Sequence, residues 1–482
     1  MRTSPLATLS RVADLLTGRL RSFVALSLLL GCSLAAATRP HFGGRLRVEY
    51  QAAPVSLDPS DADPFTAEAA VVDDTARLLF DRLVVIDAAG RPQPALARAW
   101  DVDAAGREWQ FHLRPGVRLS DGGLLTPPEV TASLSRTLLL AFPDATVDAT
   151  RDGVRVVLSS PRPDLLWELG RLRQSIVLPG PAGRWRGTGP FALTDWQVGR
   201  HMALAANQHY WGGRPYLDGL DIRLGVPARE QTTDLALDRA DRIEIPVEEI
   251  RAAQQRGLQV LISGPRELVA LLLVAGRPAT ESDAVRAALV HSLDRNALWA
   301  SLAQREGAPA AGLLPQWMSG TAFLFTNDVA TGGQGGQITA ASPVNSASVP
   351  VVLAYDRSDP LSRALAERIA VNARDAGLAV RPQAENMAAR SGDFDVILVR
   401  TGLESASPGA SLAALVSILP GTAPAPPAAV TAAAIVERQL AVLATHRVIP
   451  LLHVPRAYAE SARVHAAPDS GTTLNDLWVS AP

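Results

Sequence analysis

Cys32 is the sole cysteine of the chain, and its eight histidines do not gather into a ligand set. His201 and His209, or His446 and His453, lack both i,i+4 spacing and the neighbouring acidic or thiolate ligands of a zinc site. There is no Gly-x-Ser-x-Gly elbow and no His-Glu-x-x-His motif. Asp and Glu are abundant, but no pair is marked out as acid and base. Every basic residue is arginine, so a phosphate-loop lysine, a Schiff-base lysine and a kinase-type lysine are all ruled out. The chain cannot be the ATPase of a transporter. Neither catalysis, a metal nor a cofactor has residues to rest on. The chemistry left is recognition by tryptophan, arginine, hydroxyl and carboxylate side chains.

Such side chains need rigid elements beneath them, and the most explicit lie in Trp109 to Leu140. Trp109 to Leu113 alternates apolar and polar residues, and Arg114-Pro115-Gly116 supplies a turn, so a strand–turn–strand hairpin is expected. Asp121-Gly122-Gly123 breaks the second strand. Thr126 then stands three residues before Glu129, with Pro127 at the first helical position, which is the pattern of a capping box.

Elsewhere the periods alternate between strand and helix. Strands are expected at Gly44 to Tyr50, Leu83 to Ile86, Val154 to Leu158, Leu220 to Leu224 and Leu258 to Ile262. A hairpin is expected from Phe191 to Ala205 about Val198-Gly199-Arg200, and helices at Ala67 to Phe80 and Val247 to Gln255; Pro94 to Trp100 resembles a short helical element of a known family, given below. Leu268 to Ala275 is a continuous apolar run, as in a strand buried on both faces, and Asp283 to Leu302 is an amphipathic helix pair. Residues 320–350 are poor in large apolar side chains and rich in Gly, Ser, Thr and Gln, the composition of a linker or mobile loop. Val351 to Tyr355, Leu361 to Ala376 and Phe394 to Arg400 form a β–α–β unit. Val448 to Pro455 is an apolar return strand.

A length of 482 residues implies two or three domains, and 47% hydrophobic with 20% charged residues suffices for a full core. A formal net charge of −2 gives no global field for nucleic acid or an anionic membrane. The first 31 residues read as a signal peptide, with a basic flank at Arg19-Leu20-Arg21 and an apolar core from Phe23 to Leu30 too short to span a bilayer. Leu29-Leu30-Gly31-Cys32 resembles the lipobox of bacterial lipoproteins, whose cysteine is acylated. The rival cut, after Ala37, would use Ala35 and Ala37 as small residues. Either route places the chain outside the cytoplasmic membrane, with residues 32–43 as a tether.

Three segments, in one order, carry a family likeness. Leu46-Arg47-Val48 with Ser56-Leu57-Asp58-Pro59 is the first. Leu113-Arg114-Pro115-Gly116-Val117, Ser120-Asp121-Gly122, Leu125-Thr126 and Glu129-Val130 form the second. Gly187-Thr188-Gly189-Pro190-Phe191, Trp196, Asn207, Tyr210-Trp211-Gly212-Gly213 and Leu217-Asp218-Gly219 form the third. Together they resemble the family 5 extracellular solute-binding proteins, the peptide, nickel and oligosaccharide receptors of bacterial ABC importers. The likeness runs from about Gly44 to Trp317 and includes Val285-Arg286-Ala287-Ala288-Leu289 with Leu293-Asp294-Arg295.

The resemblance implies an α/β, two-lobed periplasmic-binding-protein fold of type II, in the large peptide-receptor subclass, with two hinge crossovers. Lobe one would be 44–265, with a hairpin–helix subdomain at about 81–186, completed by 449–482. Lobe two would be 266–448. Hinge strands would fall near Ser263 to Leu268 and Val448 to Val454. It further implies a monomer that closes on a peptide or similar small solute and hands it to an ABC permease, without catalysis. A solute sensor, or a degenerate paralogue that no longer delivers solute, is the alternative. An extracellular hydrolase would need a Ser/His/Asp constellation in the cleft.

By the same resemblance, Val55 and Ser56 would contact ligand from the first lobe, with Asp58 in a turn role. Trp185 and Trp317 are candidates for stacking on it, whereas Trp211 reads as structural. Peptide-binding members carry an aspartate in a Trp- and Asp-Pro-rich loop after a second-lobe strand. Here the matching strand is followed by Arg400-Thr401-Gly402-Leu403-Glu404, without the tryptophan or Asp-Pro. Glu404 could replace the aspartate, Arg400 could favour an anion, and Thr401 goes with them as a contact. The two charges could equally be solvated partners at a strand end.

Overall fold

The computed structural model describes residues 40–87, 89–180, 185–310, 312–319, 350–386, 392–403, 408–419, 431–466 and 474–480. The signal segment, Cys32, all but the last residue of the expected linker, and Glu404 lie outside them. The chain folds as two α/β lobes with a smaller antiparallel sheet attached to the first.

The apolar run of the second lobe is its axis. All seven residues of the strand Glu267–Leu273 are buried, between the antiparallel strands Val396–Gly402 and Val448–Val454. Val269, Leu271 and Leu273 face one apolar cluster, with the helices Asp283–His291 and Pro360–Asp375. Leu268, Ala270 and Leu272 face another, with the helices Pro408–Ile418 and Ala432–Leu443. Helices on both faces are why the run shows no alternation. Strands Val351–Asp356 and Val380–Glu385 pair in parallel around the 360–375 helix, and Ala308–Pro309 closes the other edge.

In the first lobe a seven-stranded sheet runs in the order Phe191–Gln197, His201–Ala206, Gly219–Arg223, Arg45–Glu49, Arg242–Ile245, Ala457–Glu460, Val260–Ile262. The late strand 457–460 therefore completes a sheet begun near the N-terminus. The attached sheet, Ala97–Val102, Glu108–Leu113, Gly153–Val157 and Thr146–Ala149, is covered by the helix Pro127–Ala141 through Val130, Leu134 and Leu138. Glu129 fulfils its expected role at that helix start, accepting the Thr126 N–H at 3.0 Å and the Thr126 hydroxyl at 2.8 Å.

Three expectations change. Residues 97–102 are strand rather than helix, because Trp100 packs beside Phe111 in the small sheet. The 108–113 strand does not fold back across Arg114-Pro115-Gly116; its partners are 97–102 and 153–157, and beyond the turn only Arg118 and Leu124 bridge. Gly153 permits this, since a Cβ there would collide with the Phe111 carbonyl. The chain passes between lobes at 263–266 and again at 455–456, so Val448–Val454, expected as a hinge, is a buried second-lobe strand.

In the small sheet His112 stands between two carboxylates, Asp152 at 2.9 Å from Nδ1 and Asp101 at 2.9 Å from Nε2. These hydrogen bonds, to Asp152 and then Asp101, raise the His112 pKa. The stabilisation is full below the unfolded value of about 6.5 and is lost as pH rises through the folded value. Thermal melts from about pH 5.5 to 8.5 should show His112→Ala less stable than wild type at the acid end, with the gap closing at the alkaline end.

Candidate functional site

Glu267 opens the central second-lobe strand immediately after the first crossing, and both of its oxygens are taken by arginines. Oε2 accepts from Nε of Arg400 at 2.5 Å and Oε1 from Nε of Arg456 at 2.7 Å. Arg400 comes from the neighbouring strand 396–402, and Arg456 lies in the second crossing. Arg456 also reaches Asp74 of the helix Ala67–Leu79 at 3.2 Å, while the Tyr50 and Tyr458 hydroxyls donate to the same carboxylate at 3.2 and 3.3 Å. Arg400 has a second anion, Asp359, at 3.7 Å. Asp359 also caps the helix Pro360–Asp375 through the Leu361 N–H and the Ser362 hydroxyl.

This network floors a cavity of about 350 Å³ between the lobes. Gln51, Pro59, Ala67, Ala70, Glu244 and Glu248 line it from the first lobe, and Asp359, Arg400, Thr401 and Gly402 from the second. Burial would raise the Glu267 carboxyl, but Arg400 and Arg456 outweigh it and hold the group below the usual carboxylate range. Glu244 differs. Burial pushes it up to about 7, and the Gln51 N–H at 2.7 Å only partly opposes this. Glu248 is also raised, again chiefly by burial.

Of the residues singled out in the sequence, the cavity brings together Arg400 and Thr401. Val55 is 69% exposed and does not line it. Ser56 donates to Asp61 at 2.8 Å and accepts the Asp58 N–H at 3.2 Å; Asp58 accepts from Ser60 and pairs with Arg136. That loop is thus occupied with its own turns. Trp185 pairs opposite Pro179 and packs on the first-lobe core. Trp317 is 48% exposed, donates to the Pro265 carbonyl at 3.1 Å and lies under Arg266, so it covers the first crossing, not the cavity. Glu404 lies outside the described residues. Sequence reasoning missed Glu244, Glu248, Glu267 and Arg456. Glu267 did carry a signal, a lone charge at the head of an apolar run.

The lobes also touch away from the cavity. Phe65, from a first-lobe loop and only 5% exposed, belongs to the second-lobe cluster of Leu268, Ala270 and Leu314. Val247 is likewise buried among second-lobe side chains. Arg171 donates to Ser417 at 2.8 Å, and Arg251 faces Glu306 at 3.6 Å.

Because Glu267 is the shared counter-ion of two largely buried arginines, Glu267→Gln should lower stability to urea by about 3 kcal/mol at neutral pH. Its folded pKa is depressed, so its stabilisation holds above the unfolded value of about 4.3 and fades as pH falls through the folded one. The wild-type and variant curves should therefore converge in acid.

Residues 91–419 match the model of the bacterial extracellular solute-binding proteins, family 5 Middle. Among curated relatives, the chain is 27% identical over 262 residues to the probable D,D-dipeptide-binding periplasmic protein DdpA of Escherichia coli, covering 48% of this chain and 50% of that one. It is 24% identical over 362 residues to the peptide transport periplasmic protein SapA of Salmonella typhimurium, covering 64% of each. The chain thus spans between half and two thirds of these relatives' length. The periplasmic binding protein DppA of Helicobacter pylori, solved with the peptide STSA, superposes with a TM-score of 0.74 at 17% identity, over 91% of this chain and 99% of that one. With the family model spanning most of the chain and a shared two-lobed fold, this protein belongs to the family 5 bacterial extracellular solute-binding proteins.

Proposed function

We propose that the chain is the substrate-binding component of an ABC importer, capturing a peptide or similar small solute between two closing lobes without chemical change. The observation that carries this is the cavity at the lobe junction, lined from both sides and seated on the two crossings. A solute there would touch both lobes at once, so its binding energy would favour closure. Its partner would be a permease in the cytoplasmic membrane, and the chain would work as a monomer outside that membrane, anchored there if Cys32 is acylated. At about 350 Å³ the cavity holds the equivalent of roughly a dozen water molecules, the scale of a short peptide rather than a long one.

A thermal-shift panel of short peptides, opines, oligosaccharides and nickel, run on protein stripped of carried-over ligand, tests the reading. A true solute at about 100 times its Kd adds roughly 2.7 kcal/mol and raises the melting temperature. A flat response across every class would refute solute capture.

Closure should depend on a side chain outside the cavity. Phe65 does not line it, yet is buried in the other lobe. Phe65→Ala removes about 1.5–3 kcal/mol of apolar burial from the closed form alone. The free variant should show a larger radius of gyration in X-ray scattering, and solute affinity should fall about tenfold or more.

A further inference from the structure

The charged groups around the cavity are unevenly matched. Asp73, Glu244, Glu248, Glu267 and Asp359 line it together with the guanidinium groups of Arg171, Arg173, Arg400 and Arg456. All four guanidinium groups have carboxylate partners: Arg400 pairs with Glu267 and Asp359, and Arg456 with Glu267 and Asp74. Arg171 and Arg173 are held by Glu168, at 3.4 and 2.7 Å. No arginine lining the cavity lacks a carboxylate. Glu244 and Glu248, by contrast, have no arginine within salt-bridge distance among the described residues, and both face the cavity. Beside them Thr401 is only 3% exposed, lines the cavity, and has no hydrogen-bonding partner for its hydroxyl among the described residues. Its oxygen is not fully buried, so solvent in the cavity can satisfy it as well as a ligand can.

We propose that this cavity selects a solute of net positive charge, with an ammonium or guanidinium group placed against Glu244 and Glu248 and a polar atom against the Thr401 hydroxyl. The inference rests on the solute-binding reading and narrows it by charge. A solute carboxylate meets only guanidinium groups already paired with carboxylates in this lining, and gains less there than a cation gains at Glu244 and Glu248. A cation would relieve the unmatched charge instead. Burial is the main cause of the raised pKa of both glutamates, and the nearby arginines, Arg456 and Arg400 for Glu244 and Arg400 for Glu248, offset it only in part.

Three probes of nearly one size separate charge from shape: alanyl-alanine amide, alanyl-alanine and N-acetyl-alanyl-alanine. Titration calorimetry of the full chain at about pH 7.5, where most of Glu244 and most of the probe ammonium are charged, should rank them in that order, with the amide at least about tenfold tighter than the acetylated form. Glu248→Gln, and Glu244→Gln with it, should shrink that ratio, whereas His112→Ala, in the small attached sheet, should leave it. Equal or reversed ranking in the wild-type protein overturns the inference, and so does a failure of all three probes to bind. The wider reading falls separately: a neutral or anionic solute that stabilises the protein in the broad panel keeps solute capture and sinks the charge preference. The probe ranking needs no variant, so a misfolded substitution leaves the test intact.

Discussion

Two chain crossings join the lobes, and one carboxylate ties them together. Glu267 sits where the chain enters the second lobe, and Arg456 where it returns to the first. A buried carboxylate with two arginines is held because removing any member strands a charge away from water. Asp74 extends the tie onto the first lobe's long helix, with the Tyr50 and Tyr458 hydroxyls on the same anion. The floor of the cleft is therefore fixed from below. Lobe motion is left to the short segments 263–266 and 455–456, and the cavity keeps its lining groups in register with the pivot.

Closure above that floor uses little contact. Among the described residues Phe65 and Val247 are apolar side chains that cross, with Arg171 to Ser417 and Arg251 to Glu306 among the polar contacts. Each apolar group is worth about 1.5–3 kcal/mol, and exposed ion pairs about 1 kcal/mol or less. An interface of this size can be offset by solvation and completed by a solute of ordinary affinity, as the proposed capture and release would require.

Much of the fold was legible from local chemistry. The all-apolar Leu268 to Ala275 run pointed to a strand covered on both sides, and Thr126 with Glu129 marked a helix start. The hairpin across Arg114-Pro115-Gly116 misled because its turn residues are real, but the 108–113 strand finds better partners far away in sequence. The signature segments that exposed the family carry structure rather than recognition. Gly187 and Gly189 let the chain press on the Leu78–Phe80 backbone, where any Cβ would clash, and Trp211 donates to Asp81 at 2.8 Å. Recognition is carried by Glu244, Glu248 and Thr401 in the proposed reading, scattered singly over distant elements, and no local pattern announces such residues.

Arg400 shows why residue type alone leaves the charge of the site open. Read in sequence, an arginine at the end of a strand facing the cleft suggests an anion-binding group. In three dimensions Glu267 and Asp359 satisfy it, and together they hold its pKa up against the cost of burial. An arginine attracts a ligand only with the charge its neighbours leave over, and here they leave none. The same accounting promotes Glu244, which a sequence reading passes over inside an ordinary strand, Arg242–Ile245. Its hydrogen-bond partner is a backbone N–H rather than a cation, so in the proposed reading the solute adds the direct counter-charge. The sign that a binding site presents to a solute is set less by the net charge of the chain, −2 here, than by which opposite charges are already spent on the fold.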